Sequence, residues 1–252
     1  MGTAISTDLA CALDPSLMAR RAGVTLDDWQ RNAARSTARQ VLLNCSRQSG
    51  KSLTVAIIIV HMAMYRPGSL ILILSHALRQ AGELFRKCVE VYAALGKPVP
   101  LDVENKLSLE TVTGSRIVQL PDKEGNVRSF SNVGLLVLEE AGEISESLYY
   151  TVRPMLAVSQ GRIIMLGTPK GKRGVFFKEW TEGGDEWERY MVTAYECPRI
   201  DRQWLEAERR RVPDWWFRQE YLCEFLETLD SVFRYEDIQR AVSDETVTPL
   251  FG

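Results

Sequence analysis

The sequence predicts an α/β fold with a mostly parallel central sheet flanked by helices, an antiparallel insert and a small helical segment at the C-terminal end. Three observations point to it. Short apolar runs of strand length recur as QVLLNC (40–45), SLILILS (69–75), GLLVLEE (134–140) and GRIIMLGTP (161–169), the pattern of strands buried on both faces. Stretches with helical spacing separate them, so the repeating unit is strand, helix, strand. Between the second and third runs, SLETVTGSRIVQL (108–120) alternates around Thr113-Gly114-Ser115 and reads as a hairpin.

The elements follow in chain order. The N-terminal segment is short and mixed; TLDDWQRNAARS (25–36) then reads as a helix with Thr25 as N-cap and acids in its first turn. The helix SLTVAIIIVHMAMY is buried and stops at Arg66-Pro67-Gly68, short of the ~20 residues a membrane span needs. Ala77 to about Leu95 has helical spacing and ends near Gly96 and Pro98. A helix of roughly SESLYYTVRPML separates the third and fourth strands, a short amphipathic helix (VFFKEW) follows Gly174, and an alternating stretch runs from Trp187 to Thr193. Aromatic and charged helices occupy Asp201 to about Leu222, where Trp204, Trp215, Trp216 and Phe217 are expected to pack a lid against the core. The expected division is a core over 1–200 and a lid and linker over 201–252.

Composition narrows the class without naming a function. Of 252 residues, 45% are apolar and 25% charged, which excludes a disordered or disulfide-built chain. The net charge of −2 means that any nucleic-acid contact needs a local patch. Lys170 with GKRG (171–174) could touch DNA phosphate and is equally readable as a solvated loop, whereas RRRV (209–212), the stronger charge cluster, reads as the wet face of a helix. Five scattered cysteines without a CxxC pair, and only His61 and His76 beside them, predict free thiols and no structural zinc.

CSRQSGKS (45–52) carries the chemistry. It matches G-x-x-x-x-G-K-[ST] except at its first position, where Cys45 stands for glycine, and it lies between a buried strand and a helix as a phosphate loop requires. Ser46, Arg47, Gln48, Ser49 and Gly50 would wrap the phosphates, Lys51 would reach the terminal ones, and the Ser52 hydroxyl would take a place on Mg²⁺. The plain alternative is a glycine turn that carries Lys-Ser by chance, with Arg47 a solvated loop residue. A phosphate loop needs a second strand with an acid for the metal and a base for the attacking water; LLVLEE supplies Glu139 and Glu140 for these roles. The fold class is then that of a P-loop NTPase of the ASCE type.

With these motifs in this order, the chain resembles the ATPase domain of viral large terminase subunits, the motors that package double-stranded DNA into procapsids. DDWQ (27–30) is similar to the family's adenine-reading element, which implies that Gln30 bonds the base edge and Trp29 packs nearby. The glycine-poor loop with Arg47 inside it, and LLVLEEAGEI with Glu140 as catalytic base, resemble the family's Walker A and Walker B elements. Glu139 departs from the usual Asp by one methylene. LGTPKGKRGVFFKEW resembles the coupling element, with Thr168 in the γ-phosphate-sensing position, and WFRQEYLCEFLETLDSVF resembles the segment leading to a nuclease domain, expected to begin near residue 252 and to be absent here. The resemblance further implies ATP and Mg²⁺ as ligands, and double-stranded DNA, a portal protein and a small terminase subunit as partners. It also implies a homo-oligomeric ring on the procapsid, with a monomer as the alternative state in isolation, work in the host cell cytoplasm, no membrane partner and no nuclease activity. An arginine donated in trans best matches Arg128, with Arg153 and Arg173 as other candidates. Competing readings are a helicase-like translocase, an ATP-binding assembly module with little hydrolysis and a small-molecule kinase.

Overall fold

The computed structural model describes residues 2–75, 78–121, 127 and 130–227. Strands β1 (Gln40–Cys45), β2 (Leu70–Ser75), β3 (Leu101–Glu104), β4 (Ser108–Thr111), β5 (Arg116–Pro121), β6 (Leu135–Glu139), β7 (Arg162–Gly167) and β8 (Trp187–Val192) form one sheet. Its order is β3-β4-β5-β2-β6-β7-β1-β8. From β5 to β8 every neighbouring pair is parallel, and β3 and β4 add an antiparallel edge. The four apolar runs are the four central strands. Register brings Ser75 beside Glu139, Glu139 beside Leu166 and Asn44 beside Gly167, so the carboxyl ends of these strands open on one edge, where α/β sheets bind ligands.

Alternate residues of each central strand feed two separate cores, as the two-residue period demands. Val41, Leu43, Ile71, Ile73 and Val137 pack with helices α1 (Gly2–Leu13), α2 (Pro15–Arg21), α3 (Asp28–Arg35), α4 (Lys51–Tyr65) and α5 (Leu78–Ala94). Leu42, Leu72, Leu74, Leu136 and Leu138 pack on the other face with α6 (Glu146–Val152) and α7 (Gly174–Thr181). Each fully buried leucine contributes roughly 1.5–3 kcal/mol of apolar burial. Helices α8 (Arg202–Arg211) and α9 (Asp214–Leu222) form a small lid with its own cluster of Ala194, Leu205 and Phe217.

Several expectations are corrected. The N-terminal segment is two helices, joined by Asp14, which accepts the Ser16 N–H at 2.8 Å as N-cap of α2 and takes the Arg35 guanidinium at 2.6 and 3.1 Å. Those arginine bonds hold the Asp14 carboxyl down to about 2. Asp27, not Thr25, caps α3: it closes a capping box with Gln30, whose side-chain carbonyl accepts the Asp27 N–H at 2.9 Å. β3 was not legible, because its alternation is broken by exposed acids on a short edge strand. α6 gives way to a 3-10 turn over Arg153–Leu156, where Pro154 offers no N–H to continue the helix. Of the four lid aromatics expected to pack, Phe217 is buried, and Trp204, Trp215 and Trp216 are exposed.

Candidate functional site

The phosphate loop is the turn between β1 and α4, and its curvature uses positive φ at Gln48 (62°) and Gly50 (94°). It is laced internally: the Ser46 N–H donates to the Val192 carbonyl at 2.8 Å, and the Ser49 hydroxyl donates to the Ser46 carbonyl at 2.8 Å. Cys45, the residue in place of the usual glycine, is the last residue of β1 and fully buried. Burial pushes its thiol up to about 12. It is a core residue here, outside the curve that needs glycine.

Two side chains from distant parts of the chain grip the loop. Gln30 donates its amide to the Gly50 carbonyl at 3.2 Å and to the Thr54 hydroxyl at 3.0 Å. Arg199 donates to the Ser49 carbonyl at 2.6 Å and pairs with the Asp27 carboxylate at 2.8 and 2.9 Å. A Cβ at position 50 would lie 2.6 Å from Gln30 Nε2 and 3.2 Å from Arg199 Nη2, so glycine is required by space as well as by φ. Arg199 belongs to no motif, and its role is visible only once the chain is folded.

A cavity of about 1010 Å³ opens over the loop. Arg47, Gln48, Gly50, Lys51 and Ser52 line it, Glu139 and Glu140 reach it from the end of β6, and α5 adds Glu83 and Lys87, neither of which the motifs identify. The lid side is made by Arg199, Ile200, Asp201, Trp204 and Tyr221. Ser46, Ser49 and Thr168 are buried and lie outside this wall. Trp29 and Gln30 do not line it either: Trp29 packs against the core and the Gln30 amide is committed beneath the loop. Arg128 lies outside the described residues. Arg153 is held by Tyr149 at 2.6 Å and by Glu179 at 3.6 Å, and Arg173 is the N-cap residue of α7.

Glu139 and Glu140 are neighbours in sequence with different settings. Glu139 is 5% exposed, and burial first, then the Glu140 charge, raise its carboxyl to about 8 against the pull of Lys51. Its Oε2 is buried with no hydrogen-bond partner. An orphaned carboxylate oxygen beside a second acid, with the Ser52 hydroxyl on the same cavity wall, is an oxygen donor set that fits Mg²⁺. Glu140 turns out of the strand at φ 52° and ψ 51°, a left-handed conformation that costs a non-glycine residue roughly 1 kcal/mol or more. The turn is buttressed by β7, since a Cβ on Gly167 would stand 3.0 Å from the Ala141 nitrogen and 3.5 Å from Glu140 Cα.

Arg47 ties the loop to the lid. Its Nε donates to Glu220 of α9 at 2.5 Å; Glu220 is 1% exposed and the arginine side chain 61% exposed. Arg47→Ala is expected to destabilise the fold by roughly 1–3 kcal/mol, below the full value for a buried pair because the arginine is largely in water. A thermal melt of the variant reads this directly, and an unchanged midpoint would mean that the pair adds nothing. The basic loop after β7 is partly neutralised, with Lys170 on Glu143 at 3.2 Å and Lys172 on Glu227 at 3.1 Å.

Residues 38–214 match the family model described as phage terminase large subunit. The large terminase subunit of Thermus phage G20c is 28% identical over 235 residues, which cover 79% of this chain and 48% of that protein. The chain therefore spans about half the length of the curated relatives it matches. Among solved structures, the large terminase ATPase domain of Thermus phage P74-26 superposes with a TM-score of 0.72 at 23% identity, covering 82% of this chain and 97% of that one. The ADP complex of a large terminase from a thermophilic bacteriophage gives a TM-score of 0.63 at 12% identity, over 80% of this chain and 54% of that one. The fold is the P-loop fold of these ATPase domains.

Proposed function

Because the chain belongs to the phage terminase large subunit family, we propose that it binds and hydrolyses ATP as the motor part of a DNA-packaging machine. One observation carries this reading: a lysine and a serine at a helix N-terminus share a cavity with two carboxylates from a parallel strand end. The first N–H groups of α4 and the Lys51 ammonium would hold the phosphates, since helix dipole and lysine charge both favour an anion there. Ser52 and Glu139 would hold Mg²⁺. The chemistry that ion supplies is neutralisation of phosphate charge in the bound nucleotide.

Glu140 would accept a proton from the attacking water, leaving ADP and inorganic phosphate as products. Arg47 would exchange its bond to Glu220 for a phosphate oxygen, so that nucleotide state and lid position are linked through one side chain. Thr168 and Gly167, packed on the Glu140 turn, would carry the consequence into β7. Gln30 would act as a positioning residue for the loop. Arg128 of a neighbouring copy would complete the charge around the terminal phosphate, which requires a ring of chains. Double-stranded DNA as the load, a portal protein and a small terminase subunit as partners, and the host cytoplasm as the place of work complete the proposal. Among the described residues, no helix is long and apolar enough to cross a membrane.

The experiment is ATP binding and steady-state hydrolysis by the 252-residue chain over a wide range of its own concentration. Turnover per chain should rise with concentration as the arginine becomes available in trans. Turnover independent of concentration would remove the trans arginine, and no ATP binding at any concentration would remove the nucleotide site.

A further inference from the structure

We propose that Arg199 is a positioning residue of the phosphate loop: pinned by Asp27, it sets the peptide between Ser49 and Gly50 so that the loop's N–H groups are aimed before a phosphate arrives. This rests on the nucleotide reading above and adds to it a residue that no motif contains.

Three consecutive carbonyls of the loop are held by residues far off in the chain. The Cys197 thiol donates to the Gln48 carbonyl at 3.7 Å, Arg199 Nη2 to the Ser49 carbonyl at 2.6 Å, and Gln30 Nε2 to the Gly50 carbonyl at 3.2 Å. A trans peptide is planar, with its N–H opposite its C=O. Holding the Ser49 carbonyl therefore fixes the Gly50 N–H, and holding the Gly50 carbonyl fixes that of Lys51, the first residue of α4. These are the donors that an anion collects at a helix N-terminus.

Of the three holds, that of Arg199 is charge-assisted. The residue sits between the 3-10 turn Ala194–Glu196 and Asp201, the N-cap of α8. Its fork is already occupied: Nη1 donates to Asp27 Oδ1 at 2.9 Å, and Nη2 lies 2.8 Å from Asp27 Oδ2. Arg199 lines the cavity and Asp27 does not, so the carboxylate steadies the arginine from outside the site. A guanidinium neutralised in this way is a strut; a phosphate would have to strip the carboxylate from it to become its ligand. A loop already set loses less freedom when it closes on phosphate, which is where the affinity comes from.

The two possible roles of Arg199 give opposite signs for Asp27→Asn. A guanidinium that met phosphate directly would bind it more tightly once the competing negative charge was removed. A strut that lost its anchor would bind it less tightly. Asparagine is as good an N-cap as aspartate, so the substitution keeps the start of α3.

Isothermal titration of inorganic tripolyphosphate reads this without a base or turnover. It is applied to the 252-residue chain, Asp27→Asn, Arg199→Gln, the double variant and Arg202→Ala, each below its thermal midpoint. Arg202 opens α8 and donates to the Tyr195 carbonyl without lining the cavity, so its variant loosens the same corner alone. Arg199→Gln should weaken tripolyphosphate at least about tenfold, and Asp27→Asn about two- to fivefold. The double variant should stay within about twofold of Arg199→Gln, because the two residues act as one unit, and Arg202→Ala should match the parent. Parental or tighter binding by Asp27→Asn, full additivity in the double variant, or an equal loss in Arg202→Ala would each overturn the strut while leaving the phosphate loop in place. Should Arg199→Gln not fold, the sign of the Asp27→Asn change decides by itself. If the parent chain does not bind tripolyphosphate, the nucleotide reading fails first.

Discussion

Glu140→Gln is expected to bind ATP as tightly as the parent chain and to hydrolyse it at least about a hundredfold more slowly. Glutamine keeps the size of the side chain and its place at the cavity wall, and loses only the ability to take a proton from water. The backbone there is set by forces that do not involve the carboxylate: the left-handed turn at φ 52°, the 3-10 turn that follows, and the close approach of Gly167. The variant should therefore fold and bind normally, which makes the rate a clean readout. Single-turnover hydrolysis with pre-bound ATP separates the chemical step from binding and release. A rate within a few-fold of the parent would take the general-base role away from Glu140 and leave Glu83, on the same cavity, as the acid to examine next.

Lys51→Ala should fail one step earlier, at binding. The Lys51 ammonium makes only a long contact with the Ser46 carbonyl, 3.5 Å, so little holds it back from an incoming phosphate. Charge-assisted hydrogen bonds contribute roughly 1.5–3 kcal/mol each, so losing them should weaken ATP by at least about tenfold and up to about 150-fold. Isothermal titration of the variant against tripolyphosphate and ATP reads the effect without any turnover. Equal affinity in variant and parent would mean that the phosphates do not meet this lysine. Read together, the two variants divide the site into a side that holds and a side that reacts.

The parts legible in the sequence were those encoded locally. Four central strands declared themselves as apolar runs because both their faces are buried, and the loop declared itself because its residues are contiguous between a strand and a helix. The hairpin about Gly114 was visible for the same reason, with φ 81° at that glycine. What stayed hidden depends on partners far away in the chain. Asp27 and Arg199 meet across 172 positions, and Arg47 and Glu220 across 173, and no spacing rule connects them. Thr25 and Asp27 are both good N-caps by residue type, and the choice fell to Asp27 because Gln30 could close the box. The lid tryptophans illustrate the same limit: their apolar character suggested packing, whereas three of them stand at the surface. Trp29 and Gln30 were read from their resemblance to a nucleotide-contacting element; in the fold the Gln30 amide bonds the Gly50 carbonyl and the Thr54 hydroxyl, and Trp29 packs against the core.

That support has a consequence for what counts as the minimal unit of this fold. The region matching the family model, 38–214, contains the loop, both acids, strand β7 and Arg199, but neither Asp27 nor Gln30. A polypeptide trimmed to those borders would carry the phosphate loop and both acids and lack Gln30, which grips the loop, and Asp27, which pairs with the arginine that also grips it. Arg199 would keep its bond to Ser49 and lose its counter-charge, and the Gly50 carbonyl would lose the Gln30 amide and keep the N–H and hydroxyl of Thr54. The signature and the scaffold of the phosphate loop thus have different lengths, and a helix outside the signature holds the loop through Gln30.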